Sequence, residues 1–510
     1  MSKTSKILLI AVSSTFMVIL DQTIMNTALP HIIAVFNETT DRAQLIVSAY
    51  LMATAITTPV APFLADRYGI KRVYMGSQIG FLAGSVLCGI SWDVQSLIFF
   101  RVLQGLAGGL LVPLSMSFLF VNMPPENRGT AMGVFGLPML LAPAIGPTLG
   151  GYLVDFWSWR MVFYINVPVV IVALAMGYAW IEDTPTTDTA FDYMGFALAA
   201  AGFSSILYAF SYAPSWHWDD WRIITLLTVG CTSILAWVIV ELTKKKPMLD
   251  LHMLGNRNYA FGIGLSFVTT LGLFSLEFLL PLFLQTLRGL SAFQSGLMVL
   301  FQALGAMVSM PISGRLYDKI GPRIPAILGL VLMGATSLWM QVLDVTTPDD
   351  MLRIILVLRG IGLGMAMMPI MTYALASVPS SMAAQASSVL TVLRTIVASL
   401  GVAIFATLLD SFQKTNLAMM AQTVTPDSPI ALRVISQIQG YLMQNGMSAN
   451  LAHQEAIVLL YQFVGLRASV TAFDRNYVIG AIVIIVSIIP ALFLPSGRVK
   501  KSDGVADIVI

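Results

Sequence analysis

Pro62–Arg72 reads PFLADRYGIKR, and a second stretch, Gly314–Arg323, reads GRLYDKIGPR. Both stretches place an acid, a glycine and basic residues directly after a long apolar segment. A glycine allows a tight turn after a helix, and basic residues favour the cytoplasmic side of a membrane. This internal repeat predicts two equivalent halves with a substrate cavity at their interface. We interpret the two loops as a salt-bridged latch between the halves; the alternative is that they only set the orientation of the chain.

The composition is that of a polytopic membrane protein. Of 510 residues, 57% are hydrophobic and 11% are charged, whereas soluble domains average about 25% charged residues. The net charge of +2 gives no reason to expect nucleic-acid binding, and two cysteines and four scattered histidines give no metal site. No phosphate-binding Gly-x-x-x-x-Gly-Lys-Ser/Thr loop and no catalytic constellation is present, so neither ATP hydrolysis nor another enzymatic activity is predicted.

An all-α fold with fourteen transmembrane helices follows from the apolar windows, each about 18–25 residues long. The windows are 7–28, 45–64, 74–91, 96–121, 131–153, 161–181, 193–213, 223–241, 259–284, 294–313, 324–342, 352–376, 385–409 and 477–494. The two repeated loops are eight helices apart, which predicts a six-helix half (1–185), an inserted helix pair (186–245) and a second six-helix half (246–510). Basic residues concentrate in the loops on one side, so both termini are predicted to be cytoplasmic.

One predicted loop, 411–476, is long and external. It contains helical patterns at 431–444 and 449–470, with apolar residues at 3–4 spacing. A cap on the membrane surface and a docking surface for another protein are both consistent with this pattern.

The first apolar helix contains an unusual acid in the run Leu20–Pro30, which reads LDQTIMNTALP. A charged residue in a membrane helix costs about 2.5–3.5 kcal/mol on insertion scales, so Asp21 must bind a proton, pair with a cation or face water. The candidate partner is Arg101, three residues before Gln104 in the fourth helix, since an arginine keeps its charge. The alternatives are an Asp21 wetted by lipid headgroups and an Arg101 that reaches the outer interface.

The second half contains further charged residues within apolar helices. Glu277 in the ninth helix is predicted to be a second cavity acid that binds a proton or a cationic substrate; the alternative is an ion pair with Arg288 at the outer rim. Arg359 matches either Arg101 or Gln104 in register, so its counterpart is left open. Arg394 either lines the cavity, pairs with an acid or reaches the cytoplasmic interface. The predicted cavity residues are Asn26, Gln104, Glu277, Gln285 and Arg394.

Together these stretches resemble the major facilitator superfamily, and most closely its fourteen-helix drug–proton antiporters of the EmrB/QacA type. The loop motif of the superfamily is Gly-x-Leu-x-Asp-Arg-x-Gly-Arg-Lys. In the first copy Pro62 replaces the leading glycine, while Leu64, Asp66, Arg67 and Gly69 agree with the motif. The run Ala142–Gly151 resembles the antiporter motif of the fifth helix, and the segment around Asn166 resembles the entry to the sixth. The residues expected to act in conformational gating are Asp66, Arg67, Gly69, Arg72, Asp318, Gly321, Arg323, Gly146, Pro147, Gly150 and Gly151.

The resemblance implies a proton-driven multidrug exporter in the cell membrane. Asp21, Arg101 and Glu277 would couple protons to the export of apolar and cationic compounds by alternating access. The proton gradient would supply the energy without a cofactor. A periplasmic adaptor and an outer-membrane channel are expected partners if the chain works like EmrB, and no partner protein if it works like QacA. The alternative cargo on the same fold is a lipid, a siderophore or another metabolite.

Overall fold

The computed structural model describes residues 3–184, 186, 190–244, 247–423 and 428–497, and all regular secondary structure in them is helical. The α-helices in chain order are α1 (Lys3–Phe36), α2 (Thr40–Thr57), α3 (Ala61–Tyr68), α4 (Ile70–Gly89), α5 (Val94–Asn122), α6 (Arg128–Phe135), α7 (Leu137–Phe156), α8 (Met161–Tyr164), α9 (Asn166–Trp180), α10 (Tyr193–Trp216), α11 (Trp221–Thr243), α12 (Arg257–Thr286), α13 (Ala292–Ile320), α14 (Arg323–Trp339), α15 (Asp349–Ala376), α16 (Ala383–Thr423), α17 (Pro429–Gln444), α18 (Ala449–Val486) and α19 (Ile488–Ala491). Short 3₁₀ turns occupy Thr58–Val60, Pro125–Asn127, Leu251–Gly255, Met340–Val342 and Ser380–Met382.

The protein crosses the membrane many times. Within the described ranges, 13 helical segments are long and apolar enough to span a bilayer. The twenty-residue α4 is a further long helix and buries the polar side chains of Ser77, Gln78 and Ser85. The count of fourteen crossings and the side of the termini stay predictions. Five basic residues used for the predicted orientation lie outside the described residues: Lys245, Lys246, Arg498, Lys500 and Lys501.

Prolines and glycines divide several predicted spans. The span 45–64 is divided at Thr58–Val60, which contains Pro59, and the span 131–153 is divided at Gly136, two residues before Pro138. A proline lacks an N–H donor and crowds the preceding turn, so the α-helical hydrogen-bond ladder is interrupted there. The first helix is longer than expected and continues through Pro30 to Phe36.

The helix packing places one candidate site within the first predicted half and a cavity where helices of the two predicted halves meet. In the first half α1 packs against α5, α7 and α9; in the second, α12 packs against α15, α16 and α18. The main contact between halves is made by α13, which packs along α6 and α7. The helices of the predicted inserted pair, α10 and α11, pack mainly on each other, and α10 also contacts α2 and α16.

The predicted external loop 411–476 is largely helical. Helices form close to the expected ranges 431–444 and 449–470, but α18 continues without interruption into the last predicted span. The 41 residues of α16 extend for roughly 60 Å at about 1.5 Å per residue, twice the hydrocarbon thickness of a bilayer. The segment differs from a loop because its apolar spacing is helical. The break between α17 and α18 is short and covers residues 445–448, where Gly446 adopts a positive φ of 90°.

Candidate functional site

A buried ion pair lies at the centre of the first half. The side chain of Asp21 is 1% exposed and that of Arg101 is 0% exposed, and Arg101 Nη1 lies 2.5 Å from Asp21 Oδ2. Gln104 Nε2 and Asn166 Nδ2 donate to Asp21 Oδ1 at 3.0 and 2.7 Å. The carboxylate therefore joins α1 to α5 and α9. The two alternatives, in which lipid headgroups hydrate Asp21 and Arg101 reaches the outer interface, are wrong, because both side chains are enclosed by the helix bundle.

Neighbouring helices complete this cluster. Ser85 Oγ on α4 accepts from Gln104 Nε2 at 2.8 Å and from Asn166 Nδ2 at 3.2 Å. The Arg101 guanidinium lies 4.1 Å from the ring centre of Tyr50 on α2, a cation–π distance. We call Asp21, Tyr50, Ser85, Arg101, Gln104 and Asn166 the Asp21 cluster.

A glycine brings the donors of this cluster within reach. A Cβ atom at Gly84 on α4 would lie 2.7 Å from the backbone Cα of Gln104 on α5. Any side chain there would separate the two helices and move Ser85 away from Gln104. From the sequence, Asn166 was predicted only as part of a motif, although an amide inside a strongly apolar helix was a signal for a buried partner. Ser85 was not predicted.

A second acid–arginine pair lies in the second half. Gln302 Nε2 donates to Glu277 Oε1, and the fully buried Arg359 has Nη2 at 3.8 Å from the same oxygen. Glu277 is on the first helix of its half and Arg359 on the fourth predicted span, as Asp21 and Arg101 are in theirs. Arg359 therefore corresponds to Arg101. The alternative ion pair between Glu277 and Arg288 is wrong, because Arg288 pairs with Asp349 at 2.8 Å.

A cavity of about 160 Å³ lies between the halves, with Glu277 in its wall. Its lining comes from α7, α12, α13, α15 and α16 and is mostly apolar. Of the predicted cavity residues, it brings together Glu277, Gln285 and Arg394. Gln104 is instead part of the Asp21 cluster, and Asn26 is exposed and away from the cavity. Asn26 follows Asp21 by five residues, which turns it about 140° around the helix at 3.6 residues per turn.

Arg394 is the cavity's uncompensated cation. Its Nη1 lies 3.4 Å from Met139 Sδ and 3.7 Å from Met371 Sδ, and no carboxylate of the described residues lies within ion-pair distance. It is the twelfth residue of α16, roughly 16 Å from the helix start at about 1.5 Å per residue. That distance is about half of a bilayer's hydrocarbon thickness, so Arg394 lines the cavity and does not lie at the start of the helix.

The second loop copy joins the two halves. Asp318 accepts hydrogen bonds from Gly129 N at 2.8 Å, Thr130 N at 2.9 Å and Thr130 Oγ1 at 2.7 Å. These donors are at the N-terminus of α6, where a negative charge is favourable. Gly314 lets the helices approach closely, since its Cβ would overlap the carbonyl of Gly129. At Asp318, the contact between the predicted halves therefore consists of hydrogen bonds at a helix terminus.

The first loop copy makes contacts within its own half. Arg72 pairs with Asp183 at 3.5 Å, and Arg67 lies over the ring of Tyr68 at 5.7 Å. Asp66 is exposed, while Arg323 of the second copy is half-buried. The predicted tight turns are present in both copies.

Both turns need a glycine. Gly69 has φ 86° and Gly321 has φ 83°, and this left-handed region disfavours residues with a Cβ.

The glycine motif of the fifth predicted span positions α7 against α1. A Cβ at Gly146 would overlap Thr23 Oγ1, and one at Gly150 would overlap Thr27 Oγ1. Pro147 lines the cavity, whereas Gly151 has no atom near its Cβ position. The helix that carries Asp21 and the wall of the cavity are therefore in direct contact through α7.

Comparison with known proteins agrees with this architecture. The profile of the Major Facilitator Superfamily matches residues 11–402. The multidrug resistance protein B homolog of Mycobacterium tuberculosis is 31% identical over 495 residues, covering 95% of this chain and 89% of the relative. The multidrug export protein EmrB of Escherichia coli is 30% identical over 446 residues, covering 85% and 86%. The human organic anion transporter MFSD10 (TETRAN) is similar in fold, with a TM-score of 0.60 at 14% identity, covering 95% of this chain and 100% of that structure.

Proposed function

The chain belongs to the major facilitator superfamily, in the branch that contains EmrB, and on this premise we propose that it is a proton-driven exporter of apolar and cationic compounds. It is a multi-pass transporter of the plasma membrane and not an enzyme. The observation that carries the proposal is the buried pair of Asp21 and Arg101, 2.5 Å apart. A charge pair inside a membrane bundle marks a proton or ion pathway by default.

Protonation of Asp21 would remove one charge of this pair. Arg101 would then lose its counter-ion while keeping its own charge, and the hydrogen bonds from Gln104 and Asn166 would weaken, since bonds to a charged group are the stronger ones. These bonds hold α1 to α5 and α9. Protonation would therefore loosen the first half around Asp21 and favour a different arrangement of its helices.

The contact between α1 and α7 can pass this change to the cavity. Gly146 packs next to Thr23, two residues after Asp21, and the adjoining Pro147 lines the cavity. A shift of α1 would move α7, and with it the cavity wall. Asp318 and the N-terminus of α6 would separate and rejoin as the halves alternate.

Glu277 is the group that meets the cargo in this mechanism. Its side chain is 25% exposed and lines the cavity, so it can bind a proton or a cationic substrate, but not both. If a proton and the cargo compete for one carboxylate, binding of the proton releases the cargo, and this exchange is a simple mechanism of antiport. The proton gradient supplies the energy, with about 2.3 kcal/mol per charge per 100 mV from its electrical part, and no cofactor is needed.

The cargo class follows from the lining and size of the cavity. Apolar and methionine side chains can repack around different ligands. The volume of about 160 Å³ resembles an engineered cavity of about 150 Å³ that holds benzene. A drug-sized cargo therefore requires the halves to move apart. Cooperation with a periplasmic adaptor and an outer-membrane channel, as in an EmrB-like system, remains part of the proposal.

The test is transport in proteoliposomes. A pH gradient is imposed and ethidium movement is followed for the wild type, Asp21→Asn and a control, Asp410→Asn, which alters an exposed acid paired with Lys414. We expect gradient-driven movement in the wild type and the control, and none in Asp21→Asn. Equal movement in all three would remove Asp21 from the mechanism. No movement of ethidium by the wild type would favour the alternative cargo, a lipid, siderophore or metabolite.

A further inference from the structure

We propose that Arg394 forms an anion-binding subsite in the cavity and that the protein binds amphipathic carboxylates there by their headgroup. This inference rests on the proposed function, since it adds a class of cargo to the same cavity. It differs from the proposal above in the charge of the cargo, which is negative.

The first argument is that the charge of Arg394 is uncompensated. Its guanidinium keeps its charge at any physiological pH, and within the described residues Nη1 contacts the sulfur atoms of Met139 and Met371 at 3.4 and 3.7 Å. A thioether sulfur is a weak acceptor and carries no charge. Burying a charge without a partner is costly, so an anionic ligand would bind here with an advantage that a neutral ligand lacks.

The second argument is that the other cavity charge is already paired. Glu277 accepts a hydrogen bond from Gln302 and has Arg359 at 3.8 Å, so it is not a counter-ion of Arg394. In the described cavity lining, Arg394 is the one cation. The planar guanidinium presents N–H groups in a fork that matches a carboxylate.

The third argument comes from the surroundings of Arg394. The residue lies between the main cavity and a smaller one that includes Ser266, Thr269 and Thr270. The Thr269 hydroxyl donates to the backbone carbonyl of Leu265 at 2.8 Å, so the hydroxyl groups of Ser266 and Thr270 are the ones that add donors for a ligand oxygen. The main cavity offers Leu273, Phe274 and Val299 for an alkyl chain. A headgroup at Arg394 and an apolar tail along α12 and α13 would therefore satisfy both parts of an amphipathic carboxylate.

The experiment measures equilibrium binding to the full chain in lipid nanodiscs at neutral pH. The probes are decanoate, decanol and decyltrimethylammonium, which share a ten-carbon chain and differ in headgroup charge. The variants are Arg394→Met, Arg394→Gln and Arg394→Lys. Arg433→Met removes an exposed arginine of α17 and serves as the control for net charge.

We expect the wild type to bind decanoate more tightly than decanol. A hydrogen bond to a charged group contributes about 1.5–3 kcal/mol, so Arg394→Met and Arg394→Gln should weaken decanoate binding roughly 10- to 100-fold. Their binding of decanol should not change, and that of decyltrimethylammonium should not weaken. Arg394→Lys should retain part of the preference, and Arg433→Met all of it.

Two results would overturn the inference. One is a wild type that does not prefer decanoate to decanol. The other is an equal loss of all three probes in Arg394→Met and Arg394→Gln, which would give Arg394 a purely structural role. Because binding needs no gradient, a protein that binds decanoate but moves no ethidium would contradict only the proposed proton-driven export, and the reverse result would contradict only the anion subsite.

Discussion

The buried pair of Asp21 and Arg101 predicts that its two single variants differ in stability. Removing one partner of a buried ion pair costs about 3–5 kcal/mol, because the other charge is left without a counter-ion. In Asp21→Asn, Arg101 cannot lose its charge. Its remaining contacts include the ring of Tyr50 at 4.1 Å and the side-chain oxygen of Gln104, Oε1, at 2.8 Å. We therefore expect Asp21→Asn to lower the free energy of unfolding by the whole of this amount, about 3–5 kcal/mol.

Arg101→Met should be the milder change. The remaining carboxylate keeps the amide donors of Gln104 at 3.0 Å and Asn166 at 2.7 Å, each contributing about 1.5–3 kcal/mol as a bond to a charged group. It can also bind a proton, which removes the buried charge. The double variant Asp21→Asn/Arg101→Met should be more stable than Asp21→Asn alone, since it buries no unpaired charge.

The assay is thermal unfolding in detergent micelles at about pH 8 and about pH 5. Arg101→Met should recover stability relative to the wild type at the lower pH, because a proton taken up by the folded state stabilises that state as pH falls. Asp21→Asn has no acid left in the pair and should show no such recovery.

The control is Arg353→Met, which alters a pair with Asp350 that is exposed to solvent and should shift the unfolding temperature little. The reasoning is refuted if Arg101→Met unfolds below Asp21→Asn at both pH values, or if the double variant is the least stable of the three.

Three further predictions concern the latch, the glycine contact and the second acid. Asp318→Ala removes three hydrogen bonds between the halves and should raise the labelling rate of cysteines placed on the side of the cavity nearer Asp318; an unchanged rate would mean that other contacts hold the halves. Gly146→Ala should lower stability by about 1–3 kcal/mol through overpacking and slow transport, whereas Gly151→Ala, with open space at its Cβ position, should do neither. Gln302→Leu removes a donor from Glu277 and should shift the pH profile of ethidium transport, while an unshifted profile would argue against titration of Glu277 during transport.

The pairing of Asp21 with Arg101 could be predicted because an isolated charge in an apolar helix needs a partner, and few candidates exist. Ser85 could not, since a serine in a membrane helix often bonds its own backbone and gives no sign of a distant partner. The register of Arg359 was ambiguous in the sequence. It was decided only by the packing of α15 beside α12, which places Glu277 next to Arg359.

The helix boundaries show a similar division. Apolar length predicted where the spans lie, because burial in lipid depends on total hydrophobicity. It did not predict that α18 continues beyond the membrane, because an exposed amphipathic helix and a lipid-facing helix join without any break in backbone hydrogen bonding. Along α18 the surroundings of the side chains therefore change, while the secondary structure stays the same.

The two acid–arginine pairs occupy equivalent positions in the repeat but differ in exposure, and this difference suggests a division of labour. Asp21 is 1% exposed and has three donors, so a cargo molecule cannot reach it without rearrangement of the first half. Glu277 is 25% exposed and lies in the cavity wall. We therefore expect direct competition between proton and cationic cargo at Glu277, and coupling through the α1–α7 contact at Asp21. With Arg394 on a facing helix, the proposed cavity would offer a carboxylate to cations and a guanidinium to anions. Cargo molecules of opposite charge would then bind in different poses within the same cavity.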